Sequence, residues 1–215
     1  MFHELLEALQ ETLFMVFLSG VLTVILGLPL GVLLAITRKG YLLEQALTHK
    51  ILSFILNATR SIPYIVFMVA VIPLTRLLIG KAEGSLASCV PLTLAAIPYF
   101  ARLSENVFLT VPKGLIEAAI SFGATPWHVI TKVLLAESMP GLIQAITLTL
   151  INLVSYSAMA GALAGGGLGS FAIHKGYYGM QTQYIFYAVI LLILLVQIIQ
   201  ACGDYIAHGT VKQVS

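Results

Sequence analysis

Residues 13–36 contain no charged side chain. At 1.5 Å rise per residue, a helix of that length crosses a hydrocarbon core of about 30 Å with some tilt. Similar runs recur along the chain and account for a composition that is 59% hydrophobic and 9% charged, against roughly a quarter charged in a soluble domain. Such a chain cannot remain unfolded in water, nor fold as a soluble globular enzyme, so lipid is its solvent. The net charge of +2 is too small for a nucleic-acid-binding surface, and no nucleic-acid partner is expected.

Five spans are expected in one membrane domain over residues 1–215, at about 13–36, 61–79, 86–101, 139–163 and 184–203. Between the first two, the stretch YLLEQALTHKILSFIL reads as an amphipathic helix lying along the membrane or packed on the bundle. Span two holds Pro63 and Pro73 and takes Arg76 near its end, where a long side chain snorkels to the interface. Span three is short and punctuated by Pro91 and Pro98, and draws on flanking residues such as Val107 and Phe108 to complete a longer helix. Span four is free of charge but rich in polar groups. After it, GGGLGSFAIHKGYYGMQTQ reads as a glycine-rich loop, and a short tail with Asp204 and Lys212 follows span five.

The basic residues set the orientation. Arg38, Lys39, Lys50, Arg60, Arg102, Lys113, Lys132 and Lys212 fall on one side of this map; Arg76, Lys81 and Lys175 fall on the other. The positive-inside rule then puts the N-terminus outside and the C-terminus in the cytoplasm. Arg38 and Lys39 read as solvated interface charges that orient the chain. The opening MFHELLEALQE has three glutamates and no Lys or Arg, unlike a cleaved secretory leader.

Several chemistries are missing. The apolar cores of the expected spans carry no Asp, Glu or His, although proton relays and ion-coupled pumps need titratable groups at that depth. No phosphate-binding G-x-x-x-x-G-K-[ST] loop occurs. The histidines at 3, 49, 128, 174 and 208 lack ligand spacing, so neither a metal site nor any cofactor is expected in this chain. Cys89 and Cys202 map near opposite faces of the bilayer, too far apart for a disulfide. Gly27 with Gly31, and Gly161 with Gly165 and Gly169, have the spacing that lets helices approach closely.

The segment at 112–137 is the informative one. Pro112 opens a helix over 112–121, Gly123 stands where a left-handed residue ends it, and Thr125 caps a second helix beginning at Pro126. Small residues, Ala118, Ala119, Gly123 and Ala124, occupy the bend and allow another protein to approach the backbone; a plain amphipathic loop is the alternative.

Glu117-Ala118-Ala119, then Gly123, then Val133-Leu134-Leu135 resembles the EAA loop of ATP-binding-cassette importer permeases. It departs from that pattern where a proline is usual after the leucine: Ala136 stands there and Pro140 comes next, which implies a straighter end to the second helix. The resemblance narrows to the permeases of bacterial methionine importers, through ATRSIPYIVFMVAVIPLTRLLIG, VPLTLAAIPYFARLSENV, GLIEAAISFGATPWHVITKVLLAESMPGLI and LVSYSAMAGALAGGGLG. It implies an all-α type I importer fold in the bacterial cytoplasmic (inner) membrane, a homodimer, two cytoplasmic ABC ATPase subunits that hold the ATP and Mg, and a periplasmic or lipid-anchored binding protein. The implied substrate is methionine, as the L and also the D enantiomer. Glu117, Ala118, Ala119, Gly123, Ala124, Thr125, Pro126 and Trp127 become the ATPase-coupling element.

In span four, Asn152, Ser155, Tyr156 and Met159 fall at i, i+3, i+4, i+7 and share one helix face. That face suits a polar pathway, with Met159 as the gate that the resemblance implies; interhelical hydrogen bonding with Met159 as core filler is the other reading. A sister importer of another small amino acid or a metal complex, and a non-transporting scaffold, are the rival functions. The topology is checked with single cysteines in a Cys89→Ala, Cys202→Ala background: an impermeant thiol reagent is expected to label positions 84 and 175 in intact spheroplasts and to spare positions 50 and 113.

Overall fold

The computed structural model describes residues 2–214, with side chains over 3–209. Met1 and Ser215, the ends of the expected domain, and the Lys212 side chain of the charge count lie outside the described residues. Helices dominate because a lipid-embedded backbone has no water to bond with and must satisfy its own N–H and C=O groups.

α1 (Phe2–Thr37) begins about ten residues before the expected span. No breaker separates the opening from the apolar run, and its early turns have a partner. Leu5, Ala8 and Leu9 pack with Leu168, Phe171 and Ala188, while Glu11 accepts the Gly167 amide at 2.6 Å and Thr12 Oγ1 accepts the Leu168 amide at 2.8 Å. Lys175 pairs with Glu4 at the same end.

The amphipathic helix is α2 (Ala46–Arg60), and α3 (Tyr64–Ile79) follows after a 106° bend. Pro63 causes the bend. It has no amide to continue a helix, and its ring drives the preceding residue out of the helical region. Span two therefore starts at Tyr64 rather than at 61. Among the described residues, four unbroken helices are long and apolar enough to cross a membrane, and five spans result where the bent α2–α3 pair counts as one.

α4 (Ser85–Phe108) keeps both prolines inside one helix and outruns the expected 86–101, ending at Phe108. It thereby takes in Arg102 and Glu105, which the sequence places in a charged linker. Glu105 is 2% exposed; Arg102 bonds it at 2.5 Å and Arg38 lies 3.9 Å away. Arg38 is thus more than a solvated interface charge. Arg102 also donates to the Ser53 carbonyl at 3.3 Å, tying α2 to α4.

α1 and α4 form the most extensive helix pair. The Gly27 and Gly31 spacing makes it: an added Cβ at Gly31 would lie 2.7 Å from Ser104 Cβ and 2.9 Å from the Ala101 carbonyl, and one at Gly27 would lie 2.9 Å from the buried Phe100 ring. Met15, Leu92, Ala96 and Leu153 fill the centre of the core where α1, α4 and a later helix meet. Cys89 is buried, Cys202 is exposed, and both are free.

α5 (Lys113–Ser121) and α6 (Pro126–His128) are separated by the sharp turn, and a π-helical segment (Val129–Leu134) joins α6 directly to α7 (Leu135–Gly161). The second helix of the bend and span four, expected as separate elements at 126–137 and 139–163, are one rod over Pro126–Gly161 that carries Pro140 inside it. The expected glycine-rich loop is also helical in part, as α8 (Gly167–Phe171) and a π-helical segment over Ala172–Tyr178. Gly161 and Gly169 seat α8 against α7 so closely that a Cβ on Gly161 would strike the Gly169–Ser170 backbone and one on Gly169 the Ala158 backbone. α9 (Thr182–Val214) absorbs the tail expected beyond residue 203, and its Gly203 packs on Thr147 of α7.

A branched side chain at residue 31 has to push α1 from the α4 backbone. Gly31→Val is therefore expected to cost about 1–3 kcal/mol and to lower the melting midpoint of the purified protein in detergent. Gly114→Ala, where nothing lies within 4 Å of the added carbon, is expected to leave the midpoint in place.

Candidate functional site: an exposed bend and an aromatic cavity

α5 ends in a Schellman turn. The Gly123 amide bonds the Ile120 carbonyl at 2.9 Å and the Ala124 amide bonds the Ala119 carbonyl at 3.0 Å, an arrangement that needs a left-handed residue between them. Gly123 supplies it at φ +81°. Thr125 then caps α6, with its hydroxyl accepting the His128 amide at 3.3 Å and Pro126 in the first turn. The two helices of the bend are held from beneath by Ile116, Val129, Ile130 and Leu134, which join Ile36, Phe108 and Leu142 in a second core cluster.

Above that anchor, Glu117, Ala118, Gly123, Thr125, Pro126 and Trp127 are exposed, and Ala119 and Ala124 are half-buried. The structure thus brings together all eight residues singled out in this segment. Phe122 belongs with them and is missed by sequence reasoning: it is 92% exposed, beside Trp127 at 72%. Phe122 and Trp127 thus give the bend two large exposed apolar side chains, which makes it a candidate protein-binding surface.

The span-four stripe divides. Asn152 and Tyr156 line a cavity of about 260 Å³ together with Arg60, Tyr64, Phe67 and Tyr99. Tyr156 stacks flat on Tyr64, with ring centroids 4.4 Å apart and planes within 3°. Ser155 instead opens toward α9, in a cavity with Leu192, Ile193, Val196 and Gln197, and its hydroxyl donates back to the Ile151 carbonyl at 3.5 Å. Met159 lines neither cavity and is 47% exposed. The shared face is therefore correct as a helical register, but only half of it points into one pocket. Arg60, Tyr64 and Tyr99 come from three different helices, and no spacing within one element could have joined them.

A family profile described as the binding-protein-dependent transport system inner membrane component matches residues 27–210. The chain belongs to this family. As a member it is a multi-pass inner-membrane component and a transport permease subunit rather than an enzyme. A Vibrio cholerae protein described as a probable D-methionine transport system permease, MetI, is 49% identical over 200 residues, which is 93% of this chain and 89% of that one. The D-methionine transport system permease MetI of Escherichia coli K12 is 48% identical over 157 residues, 73% and 72% of the two chains. Among solved structures, an inward-facing MetNI methionine ABC transporter superposes with a TM-score of 0.96 at 45% identity, covering 98% of this chain and 97% of that one. An amino acid ABC transporter with histidines shares the fold at a TM-score of 0.77 and 16% identity, over 95% and 93%.

The Schellman turn gives this permease a clean test of its exposed bend. Gly123→Val places a β-branched residue in left-handed backbone, a strain of about 1–3 kcal/mol, whereas asparagine tolerates that region. Space around Gly123 is open, so the melting midpoint is expected to fall by no more than that backbone strain, with no added cost from packing. Co-purification with the cognate ATPase is expected to fall for Gly123→Val and to persist for Gly123→Asn.

Proposed function

We propose that the chain is the permease subunit of an ATP-driven methionine importer, and that two copies enclose the translocation pathway between two cytoplasmic ABC ATPase subunits and an extracytoplasmic binding protein. The observation that carries this reading is the superposition on the methionine ABC transporter along nearly the whole chain at 45% identity. The D-methionine names of the relatives extend the substrate to that enantiomer.

The geometry supports a dimer. Gln144, Leu148, Ser155 and Met159 are exposed along α7, and a stripe with two polar side chains is costly against lipid. A second copy across a two-fold axis converts it into the wall of a wet pathway. Met159 and its symmetry mate then close that pathway by apolar contact, and the flexible thioether repacks when the walls part. Glu117 to Trp127, with Phe122, form the knob that sits in an ATPase cleft. Closure of the ATPase pair moves the knob, and the rod over Pro126–Gly161 carries the motion to Met159. ATP and Mg act in the ATPase.

The function is tested by reconstituting the complex with its ATPase and binding protein into vesicles and measuring ATP-dependent uptake of L-methionine, D-methionine and a panel of other small amino acids and metal complexes. Uptake of methionine in preference to the panel is expected. Preference for another solute assigns the chain to a sister importer, and ATP hydrolysis without uptake assigns it to a scaffold. For the gate, Met159→Ala is expected to leave assembly and melting near normal and to produce methionine leak without ATP or slower coupled uptake. A buried filler methionine would instead lose roughly 2–5 kcal/mol of stability with no leak.

A further inference from the structure

The buried carboxylate of Glu105 is held between two unequal arms. Arg102, three residues before it on α4, donates from Nη1 to Oε2 at 2.5 Å. Arg38 approaches Oε1 only to 3.9 Å, outside the ~3.2 Å reach of an N–H···O hydrogen bond. Glu105 is 2% exposed and Arg38 48% exposed. Breaking the Arg102 contact would therefore strand a buried charge, whereas Arg38 exchanges its partner for water at small cost. The group is also unsaturated: Nε of Arg102 is buried without a hydrogen-bond partner among the described residues, a condition that buried polar groups rarely keep. One arm is fixed and the other yields.

The yielding arm belongs to a loop packed against α5. Arg38 follows the last residue of α1, and residues 38–45 fold back on that helix end, the Leu43 amide donating to the Ile36 carbonyl at 2.9 Å and the Gln45 amide to the Thr37 carbonyl at 3.0 Å. Lys113, the first residue of α5, holds its ammonium 5.1 Å from the centre of the Tyr41 ring. Gly40, Tyr41 and Leu42 share one cavity lining with Ile116, Glu117 and Ile120 of α5. The fixed arm leads elsewhere. Arg102 donates from Nη2 to the Ser53 carbonyl of α2 at 3.3 Å, and α2 runs into the 106° turn that starts α3.

We propose that Glu105 is a positioning residue for energy coupling, the joint of a latch that runs from the knob through loop 38–45, Arg38, Glu105 and Arg102 to α2. A shift of α5 carries the loop with it. Arg38 then closes to hydrogen-bond distance of Oε1 in one state of the transport cycle and stands off in the other, as it does here. Closing adds a charge-assisted bond to a carboxylate that water barely reaches, and opening returns Arg38 to solvent, so the contact has two discrete arrangements. The proposal rests on the importer reading above. It adds to the rod over Pro126–Gly161 a second route, which ends at the turn between α2 and α3 rather than at Met159.

The test uses the whole complex in vesicles with its ATPase and binding protein, and reads methionine taken up per ATP hydrolysed. Arg38→Gln is expected to lower that ratio about fivefold or more, the scale of a coupling between sites, with assembly and melting midpoint unchanged because the arm is half exposed. Arg38→Lys keeps the charge and is expected to recover most of the ratio. In a Glu105→Gln background, Arg38→Gln is expected to add no further loss, since Arg38 acts through Glu105. A further loss there assigns Arg38 to some other contact and overturns the latch. So does a ratio within twofold of wild type in Arg38→Gln alone, or a loss that tracks a lowered melting midpoint. If Glu105→Gln does not assemble, the Arg38 variants decide: recovery by lysine supports the latch, and a lysine variant as impaired as the glutamine one overturns it. A wild-type complex that takes up no methionine overturns the importer reading and the latch together, whereas an active wild type with indifferent Arg38 variants removes the latch alone.

Discussion

The contact between α1 and α4 is the constraint on which the other helices depend. Lipid supplies no hydrophobic drive for one helix to bind another, so association relies on close packing and interhelical polar contacts. Gly27 and Gly31 let the α1 backbone approach that of α4 near Ala101 and Ser104, and Ser19 donates to the Cys89 carbonyl at 3.4 Å farther along. Once fixed on α1, α4 presents Leu92 and Ala96 to α7 at one level and Phe108 to the α5–α6 bend at another. Both core clusters are therefore aligned by one helix pair.

The ionic group around Glu105 has a similar organising role at the end of α4 near the knob. A carboxylate 2% exposed is tolerable only when paired, and removing one partner from such a group costs far more than a surface ion pair contributes. Arg102 and Arg38 bring α4 and the end of α1 to that carboxylate, and Arg102 also reaches Ser53 on α2. The amphipathic helix, the first membrane helix and the end of α4 beneath the α5–α6 bend are thereby held in one register. That region carries the knob and begins the bend beside Arg60.

Most of the architecture is legible in the sequence because two signals are local. Charge-free runs mark the membrane helices, and the Pro112, Gly123, Thr125 and Pro126 punctuation marks the bend with its handedness. Helix ends are harder, because lipid solvation ends before the helix does: α1 and α4 continue through charged residues that find partners on other elements, as Glu11 does with Gly167, and in α9 Asp204 accepts from Gln200 of the same helix. The glycine-rich segment misleads because glycines that suggest a loop serve as seats for α8. Asn152 and Tyr156 are foreseeable as a helical register, but their cavity mates Arg60, Tyr64 and Tyr99 lie on other helices and meet only through the Pro63 bend.

The clasp between Glu11, Thr12 and the start of α8 joins residues 156 positions apart. A ribosome feeding this chain into the membrane releases α1 first, and its acceptors at 11 and 12 have no access to those amides until residues 167 and 168 have emerged. A contact of such long sequence separation is slow to find and contributes nothing until its loop closes. The first helix must therefore wait at the membrane surface with a carboxylate exposed to water. The end of the bundle that carries Glu11 and Thr12 is closed only when α8 arrives, so the first helix to be made is among the last to find all its partners.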